Sequence, residues 1–363
     1  MAERFLTRAG TAADDAALRR LLRDTPVQGG LRVCLEREPS FFGGDIDGLR
    51  HDVATVWRGA ALAACGSRVV RRAWWGGVPS DAAYLCDLRL HPSWQRRGGR
   101  ALVEGYRHLE GCGEAAPAVV TWTAVFEENH AARGSITGSR AGLPAYIERG
   151  KLLCPVFFVR RGSLALPAGV TTGRSGDAEE VAEFLNARHR TRLLAPVHAA
   201  ADLLGTGRWP GLEMKDFLLL REAGRLTGVV AIYDVRGIRQ VRLEGLSGWK
   251  KWLRRPLNAA AMLTGWPPLP EDGSVLPMAY ASFLAVENDD AALAGLLLRC
   301  ARTAAHRRGI HFLCACLHDQ DPLLPAFRGM PAITSHGSLY EVVSGNHAPA
   351  WMHGVPHIEA AGL

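Results

Sequence analysis

The sequence predicts a mixed α/β fold made of two similar halves, each a mixed sheet flanked by helices. Apolar runs of strand length alternate with segments whose apolar residues recur at helical spacing, and this interleaving is typical of α/β proteins. The chain has 363 residues, more than one ordinary hydrophobic core holds, which favours two domains. Several segments of the first half recur weakly and in the same order in the second, which predicts a tandem repeat.

The first half is predicted to alternate strands with helices. The segment 11–23, TAADDAALRRLLR, begins with a Thr cap and early acids and then carries apolar residues at helical spacing. Leu102, Tyr106 and Leu109 belong to a second helical stripe. The predicted order is a strand at 5–8, a helix at 11–23, two strands joined by a turn within 53–72, a strand at 82–90, a helix at 99–110, and strands at 118–126 and 146–159.

The second half is predicted to repeat this order. The segment SLALPAG at 163–169 is a candidate linker, because it contains Pro and Gly and has no periodicity. The recurring segments are a helix at 175–186, a strand at 278–286, a helix at 291–309 and a strand region at 311–323. We therefore predict domains at 1–162 and 170–343, an insertion at 245–270 in the second domain, and a C-terminal tail at 344–363.

The formal net charge of +7 is concentrated in the first half. Residues 1–162 hold 23 basic and 17 acidic side chains, whereas residues 163–363 hold 20 and 19. A basic balance suits an anionic ligand, a nucleic acid or an acidic membrane surface, and does not choose among them.

The cysteines and the apolar runs limit which classes of protein this chain can belong to. The eight cysteines include no C-x-x-C pair, so we expect reduced thiols rather than a zinc site or a disulfide framework. No stretch reaches the about 18 to 20 apolar residues of a membrane span, and the N-terminus carries acids where a signal peptide is apolar. The expectation is a soluble, cytoplasmic protein with no metal site and no membrane partner.

The most informative stretch is DLRLHPSWQRRGGRAL at 87–102, where a strand passes through a loop rich in Arg and Gly into a helix. The main-chain N–H groups at a helix start, the positive end of the helix dipole and nearby guanidinium groups all favour an anion such as a diphosphate. Neither G-x-G-x-x-G nor G-x-x-x-x-G-K-[ST] occurs here, which argues against nucleotide sites of those kinds. The simpler alternative is that Gly98 and Gly99 only turn the chain.

This stretch resembles the GNAT superfamily of N-acetyltransferases, in which a strand that often ends in His-Pro precedes [Q/R]-x-x-G-x-[G/A] at the head of a helix. A second family feature is an Asn followed by x-x-A after the next strand, and it matches at Asn129. The helix pattern fits this chain in two registers, which fall on Gln95, Gly98 and Arg100 or, one residue later, on Arg96, Gly99 and Ala101.

The resemblance implies that the loop amides hold the pyrophosphate of acetyl-CoA, or of another acyl-CoA. It further implies that the backbone of the preceding strand pairs with the pantetheine arm, and that one N–H group there polarises the thioester carbonyl. The cofactor-binding residues implied in this way are Leu88, Arg89, Leu90, Gln95, Arg96, Arg97, Gly98, Gly99, Arg100, Ala101 and Asn129.

An attacking amine must be neutral, and at pH 7.4 only about 0.1% of an amine with a pKa near 10.4 is neutral, so a general base is expected. Asp87 is the candidate, because several members of the family carry a carboxylate near this place on the same strand. The alternative is that Asp87 forms a salt bridge with Arg89 or a neighbour. The family often places a Tyr seven residues after the Asn, where this chain has Ile136, and Tyr146 is the candidate substitute as general acid.

The second half departs from the pattern, since ENDDAA stands where the first half has HPSWQRRGGR. Acids at the start of a helix complement its dipole and would repel phosphate. We therefore expect a degenerate second domain that completes the acceptor pocket or supports a homodimer.

The insertion at 245–270 carries three tryptophans among basic residues and is interpreted as a lid or an interdomain packing element. Nucleic-acid binding, such as to a tRNA-carried substrate, is the alternative. The sequence as a whole predicts an N-acetyltransferase acting on a primary amine of a small molecule. The other class kept open is a non-catalytic CoA-sensing or partner-binding protein.

Overall fold

One continuous sheet forms the centre of the molecule. The structure, a computed structural model, describes residues 5–27, 32–94, 98–129, 132–134, 142–160, 166–205, 207–245, 250–345 and 348–363. Thirteen strands of the described chain join this sheet, and two further strands form a separate ribbon. The predicted mixed α/β fold is confirmed.

The elements of the first half follow the predicted order. Its strands are β1 (Leu6–Ala9), β2 (Arg32–Glu36), β3 (Arg50–Arg58), β4 (Ala61–Trp75), β5 (Val78–Leu90), β6 (Val120–Phe126) and β7 (Ala145–Phe158). Its two longer helices in the described residues are α1 (Asp15–Asp24) and α2 (Gly99–Ala115). Before α1, the carboxylate of Asp14 accepts a hydrogen bond from the Thr11 amide at 2.9 Å.

The second half holds the remaining elements. Its strands are β8 (Val170–Thr172), β9 (Phe217–Glu222), β10 (Arg225–Tyr233), β11 (Gln240–Gly245), β12 (Met278–Val286), β13 (Phe312–Cys314), β14 (Leu317–His318) and β15 (Ala332–Val343). Its longer helices in the described residues are α3 (Ala178–His189), α4 (Lys250–Thr264) and α5 (Ala291–Arg307). Residues 163–165 of the predicted linker lie outside the described residues.

The two halves exchange strands at the centre of the sheet. The order of the main path is β1-β3-β4-β5-β6-β15-β7-β13-β12-β10-β9-β8. The last strand of the second half, β15, thus lies between β6 and β7 of the first, while β7 pairs with β13. The separate ribbon also joins the two halves, because β2 from the first half pairs with β11 from the second. The sequence patterns predicted neither β2 nor the exchange.

The same irregularity occurs at matching places in the two halves. In β5 the residue Asp87 has a φ of +50°, and in β12 the residue Phe283 has a φ of +57°. At both places the register to the antiparallel neighbour, β4 for β5 and β10 for β12, shifts as it does at a β-bulge. Both strands also pair in parallel with the next strand over three residues, Ala82–Tyr84 in β5 and Met278–Tyr280 in β12. These matched registers support the repeat inferred from the sequence.

Helices cover both faces of the first half of the sheet. Leu18 and Leu22 of α1 pack with Val53 and Cys65, whereas Ala101 of α2 packs with Val56 and Ala64. Because successive strand residues point to opposite faces, α1 and α2 lie on opposite sides of β3 and β4. The strand β5 therefore runs between two helical layers.

The insertion and the C-terminal segment both pack against other parts of the chain. The ring of Trp266, just after α4, lies 6.0 Å from that of Phe158 on β7, and the guanidinium of Arg160 donates to the Thr264 carbonyl. Ile358 and Ala361 are 4% and 2% exposed, so the end of the predicted tail belongs to the core. Trp249 lies outside the described residues. No helix in the part of the chain that the structure describes is long and apolar enough to cross a membrane.

Candidate active site

The strands β5 and β6 separate at the centre of the first half. Their parallel pairing ends at Tyr84 and Trp122, and no further pairing between them occurs in the described residues. At the root of this opening the hydroxyl of Thr123 donates a hydrogen bond to the Leu85 carbonyl at 2.7 Å. The predicted cofactor residues Leu88, Arg89 and Leu90 lie beyond this point, on the diverging part of β5.

The bulge at Asp87 redirects the side chains that follow it. Leu88 packs against Val125, in the cluster that also holds Tyr146, while Leu90 packs against Ala101 at the start of α2. The strand thus contacts the first turn of α2 through its own side chains. This contact places the strand opening next to the helix start.

The two glycines at the start of α2 differ in the space available for a side chain. A Cβ on Gly98 would lie 2.6 Å from the Leu90 side chain and 2.8 Å from the Trp94 carbonyl oxygen, so a side chain does not fit there. A Cβ on Gly99 would meet no atom within 4 Å. Packing explains Gly98, whereas Gly99 borders open space.

Within the described residues, no side chain caps the amides of the first turn of α2. No described side chain accepts a hydrogen bond from the N–H groups of Gly99, Arg100 or Ala101, and the first turn contains no acid. These orphan donors and the helix dipole make the helix start attractive to an anion.

A groove of about 350 Å³ runs along this end of α2. Its lining residues are Gly99, Arg100, Leu102, Val103, Glu104, Arg107 and Leu143. Arg107 pairs with Glu104 at 2.9 Å, while the side chain of Arg100 is 72% exposed and lies 3.9 Å from the same carboxylate. Two guanidinium groups against one carboxylate leave the groove with a positive excess. Of the predicted cofactor residues, Gln95, Arg96 and Arg97 lie outside the described residues.

Asp87 is held in a buried ion pair. Its Oδ2 atom lies 2.5 Å from Nη2 of Arg37, and the side chains of the two residues are 15% and 5% exposed. Burial alone would raise the pKa of the Asp87 carboxyl, but Arg37, Arg89 and Arg239 outweigh it and hold the pKa at about 2. The carboxylate is ionised at neutral pH and is a weak proton acceptor. Asp87 therefore forms a salt bridge, which was the alternative to its role as a general base, and its partner is Arg37.

Tyr146 is brought to the same region by β7. Its hydroxyl is hydrogen-bonded to that of Tyr106 on α2, and its ring lies 6.0 Å from that of Tyr340 on β15. Burial raises the pKa of Tyr146 above its usual value and that of Tyr106 to about 12. Both phenols are therefore protonated at neutral pH.

Asn129 follows β6 and serves a local turn. Its side-chain oxygen accepts a hydrogen bond from the Ala132 amide at 3.1 Å, and its carbonyl accepts one from the Arg133 amide at 3.0 Å. The Asn-x-x-Ala pattern therefore fixes the start of the turn after β6. Ile136, where the family often has Tyr, lies outside the described residues.

The sequence reasoning missed Arg37 and Arg239, one from each half. Arg37 follows β2 and donates to the Phe41 carbonyl as well as to Asp87. Arg239 precedes β11 and donates to the Gly44 and Ala361 carbonyls. Neither residue lies in a motif, and among 43 basic residues nothing local distinguishes them. The only available signal was the acid on β5, which required a buried partner.

In the second half the corresponding donors are occupied by the chain's own carboxylates. Asp290 caps α5, accepting hydrogen bonds from the Ala292 and Leu293 amides at 2.7 and 3.3 Å. At the bulge, the amide of Phe283 donates to Oε1 of Glu359 at 2.9 Å. An anionic ligand would have to displace both groups. The expected loss of phosphate binding in this half is consistent with this geometry.

Among the described residues, no group of three or more His, Cys, Asp or Glu side chains is arranged to hold a metal ion. No family model matches the chain, and no curated protein matches it by sequence.

Solved structures do match the fold. A GCN5-related N-acetyltransferase from Sphaerobacter thermophilus matches with a TM-score of 0.56 and 15% identity, over 96% of this chain and 98% of that one. The N-myristoyltransferase of Saccharomyces cerevisiae with bound myristoyl-CoA matches with a TM-score of 0.60 and 12% identity, over 93% of this chain and 82% of that one. A second structure of that enzyme with bound myristoyl-CoA matches with a TM-score of 0.58 and 13% identity, over 94% of this chain and 79% of that one. The chain therefore has the GNAT fold, as the motif at 87–102 predicted.

Proposed function

We propose that this protein is an acyl-CoA-dependent N-acyltransferase that transfers an acetyl group from acetyl-CoA to a primary amine of a small molecule. The amine attacks the thioester carbon directly, the bond to sulfur breaks, and free CoA leaves. The observation that carries this proposal is the uncapped start of α2, which borders an open groove next to the separated strands β5 and β6. The GNAT fold, shared with proteins that act on or bind acyl-CoA, supports it.

Each part of acyl-CoA then has a counterpart in the first half. The diphosphate binds the amides between Gln95 and Ala101, and Arg100 contributes charge from the rim of the groove. The pantetheine arm lies along Leu88–Leu90, where β5 has no strand partner on the side of β6 in the described residues. An N–H group of this segment stabilises the oxyanion of the tetrahedral intermediate.

A short acyl group suits the interior beyond the bulge. Arg37 and Asp87 fill this region as a buried ion pair, and Arg37 also lies 4.9 Å from the centre of the Phe41 ring. A long alkyl chain entering here would separate the pair and leave buried charges unpaired, which costs about 3–5 kcal/mol. This supports acetyl-CoA rather than a long-chain acyl-CoA as the substrate.

The low pKa of Asp87 changes the role that we propose for it. As a carboxylate it attracts the amine and stabilises the positive charge that forms on nitrogen during attack, without itself taking the proton. Tyr146, a neutral phenol that packs against the same apolar cluster as Leu88, is the proposed proton donor to the departing sulfur. The nitrogen releases its proton to water, and Tyr146 regains one from water.

A thermal-shift titration with acetyl-CoA tests the proposal first. A ligand at 100 times its Kd stabilises the folded state by about 2.7 kcal/mol, so a clear rise in Tm is expected. Myristoyl-CoA at the same concentration should give a smaller rise. Release of the CoA thiol in the presence of pools of primary amines then identifies turnover. If no acyl-CoA raises Tm, the proposal is wrong.

A second candidate function is CoA binding without turnover. The ion pair between Asp87 and Arg37 favours it, because it makes the Asp87 carboxylate a weak proton acceptor. Such a sensor would show the same rise in Tm and no release of thiol with any amine. The two measurements together separate enzyme from sensor.

A further inference from the structure

Two thiols face each other where the two halves meet. Cys154 lies on β7 and Cys316 lies between β13 and β14, and their Sγ atoms are 2.7 Å apart. The two residues are 4% and 5% exposed. In the described chain no other two cysteines contact each other through sulfur. The proposed transferase reaction uses neither residue.

The strand register sets this pair. Cys314 pairs with Val156 and Leu317 with Leu153, so an antiparallel register running through the intervening residues places Cys316 directly opposite Cys154. The Ala315 amide donates to the Pro155 carbonyl at 3.0 Å, which makes the cysteines the neighbouring, non-hydrogen-bonded pair. Cα atoms of such a pair are about 4.5 Å apart, within the range of about 4.4–6.8 Å that a disulfide spans.

Among the described residues, neither thiol forms a hydrogen bond with any group other than the opposite thiol. They belong to an apolar cluster with Leu152, Trp122 and Leu339. Burial and the neighbouring thiol raise the pKa of Cys154 well above its usual value, so it is not an activated nucleophile.

We propose that Cys154 and Cys316 form a disulfide that joins the two halves of the protein, with a small-molecule disulfide of the glutathione class as the oxidant. One cysteine, as its thiolate, attacks a sulfur of the oxidant and releases one molecule of reduced thiol. The second cysteine then attacks the mixed disulfide and releases the second. In total the two protein thiols lose two protons and two electrons, which reduce the small-molecule disulfide to two thiols.

The reaction takes place before the strands close. Because both sulfurs are buried in the folded chain, the oxidant reaches them while β13 and β14 are not yet packed against β7. The cross-link then closes a long stretch of chain, and stabilisation by a disulfide grows with the length of chain it closes. The oxidised protein is therefore the more stable form.

The test uses the full-length chain refolded in a mixture of oxidised and reduced glutathione. Free thiols are alkylated, and the protein is digested without reduction and analysed by mass spectrometry. We expect one linked pair of peptides, containing Cys154 and Cys316 and lighter by two hydrogens than the free peptides. The Tm of the oxidised protein should lie above that of the same sample treated with a phosphine reductant.

Two variants provide controls. The double variant Cys154→Ala with Cys316→Ala should show no link and no response of Tm to reductant. Cys300→Ala, at another buried cysteine, should keep both the link and the response. If the double variant does not fold, the wild-type digest still decides the matter. Alkylation of both Cys154 and Cys316 in the refolded protein, or a link through any other cysteine, would overturn the proposal.

Discussion

The two halves of this protein contain the same helix start in two states. In the first half α2 begins at two glycines, carries no acid in its first turn and borders a groove. In the second half α5 begins at Asp290, whose carboxylate accepts hydrogen bonds from two amides of the first turn. Asp290 supplies the negative charge that we assign to a ligand in the first half. One helix start is open to an anion and the other is already neutralised.

The bulges differ in the same way. In the first half the described side chains accept no hydrogen bond from the amides of Asp87 and Leu88, and the charge nearby is the ion pair with Arg37. In the second half the Phe283 amide donates to Glu359, and the Phe283 ring packs 5.2 Å from that of His198. The comparison teaches that a single backbone geometry supports either the ligand site that we propose or a packed core. A few side chains decide which.

The largest expected effect comes from removing the charge of Asp87 while keeping Arg37. The substitution Asp87→Asn leaves a buried guanidinium without its anion and should lower the free energy of unfolding by about 3–5 kcal/mol. Urea denaturation measures this. Replacing both partners, as Asp87→Leu with Arg37→Met, should recover most of the loss, because an apolar pair leaves no buried charge unpaired. Asp87→Asn with wild-type stability would contradict the buried ion pair.

Placing an acid at the start of α2 should weaken the binding of CoA while leaving the fold intact. Gly99→Asp adds an acid where a side chain meets no atom within 4 Å. We expect CoA binding to weaken by about 2 kcal/mol, roughly 30-fold, because the carboxylate repels the diphosphate. Stability should rise slightly, since the acid complements the helix dipole. Calorimetric titration measures the affinity, and Gly99→Asn is the neutral control. Equal weakening by both variants would show a steric effect instead.

Acid should affect the packed second half through its neutral histidines. Burial lowers the pKa of His198 to about 3, against about 6.5 in an unfolded chain. The stability contributed by the neutral ring is complete above about pH 6.5 and is lost as the pH falls towards 3. Between pH 7.5 and pH 5.5 this one group should cost about 1.4 kcal/mol of unfolding free energy. His198→Leu should reduce that loss by the same amount, and an unchanged pH profile would contradict a buried neutral His198.

The smallest effect is expected from opening the second helix start. Asp290→Ala removes a cap and should lower the free energy of unfolding by about 1 kcal/mol. It should create no affinity for CoA, because Glu359 still occupies the bulge amide. Thermal unfolding with and without CoA checks both points. The double variant Asp290→Ala with Gly99→Asp provides the control. If it bound CoA, the Asp290 cap alone would have been what prevents binding in the second half.

The sequence predicted the local elements well because their signals are local. The strand at 82–90 and the helix from 99 were visible as an apolar run and a helical stripe, and they appear as β5 and α2. The bulge, the strand exchange and β2 were not predicted, because they depend on contacts between segments far apart in the chain. The pairing of β2 with β11 joins residues about 200 positions apart, so no local pattern encodes it.

In the candidate site, too, the sequence identified the residues that belong to local motifs and missed those that come from distant segments. The glycines of α2 and the Asn after β6 were found from a motif, and Asp87 was found from its position on the strand. Arg37, Arg239 and Glu359 were not found, because each approaches the strand bulges from a distant segment. The proposed role of Asp87 changed for this reason, since the pKa of its carboxyl depends on Arg37.

The central claim is that the amides at the start of α2 bind the diphosphate of CoA. A crystal structure of the protein with bound CoA tests it directly. We predict diphosphate oxygens at about 2.7–3.2 Å from main-chain nitrogens between Gln95 and Ala101, with the pantetheine arm along Leu88–Leu90. Diphosphate bound elsewhere, with the first turn of α2 left without an anion, would contradict the account.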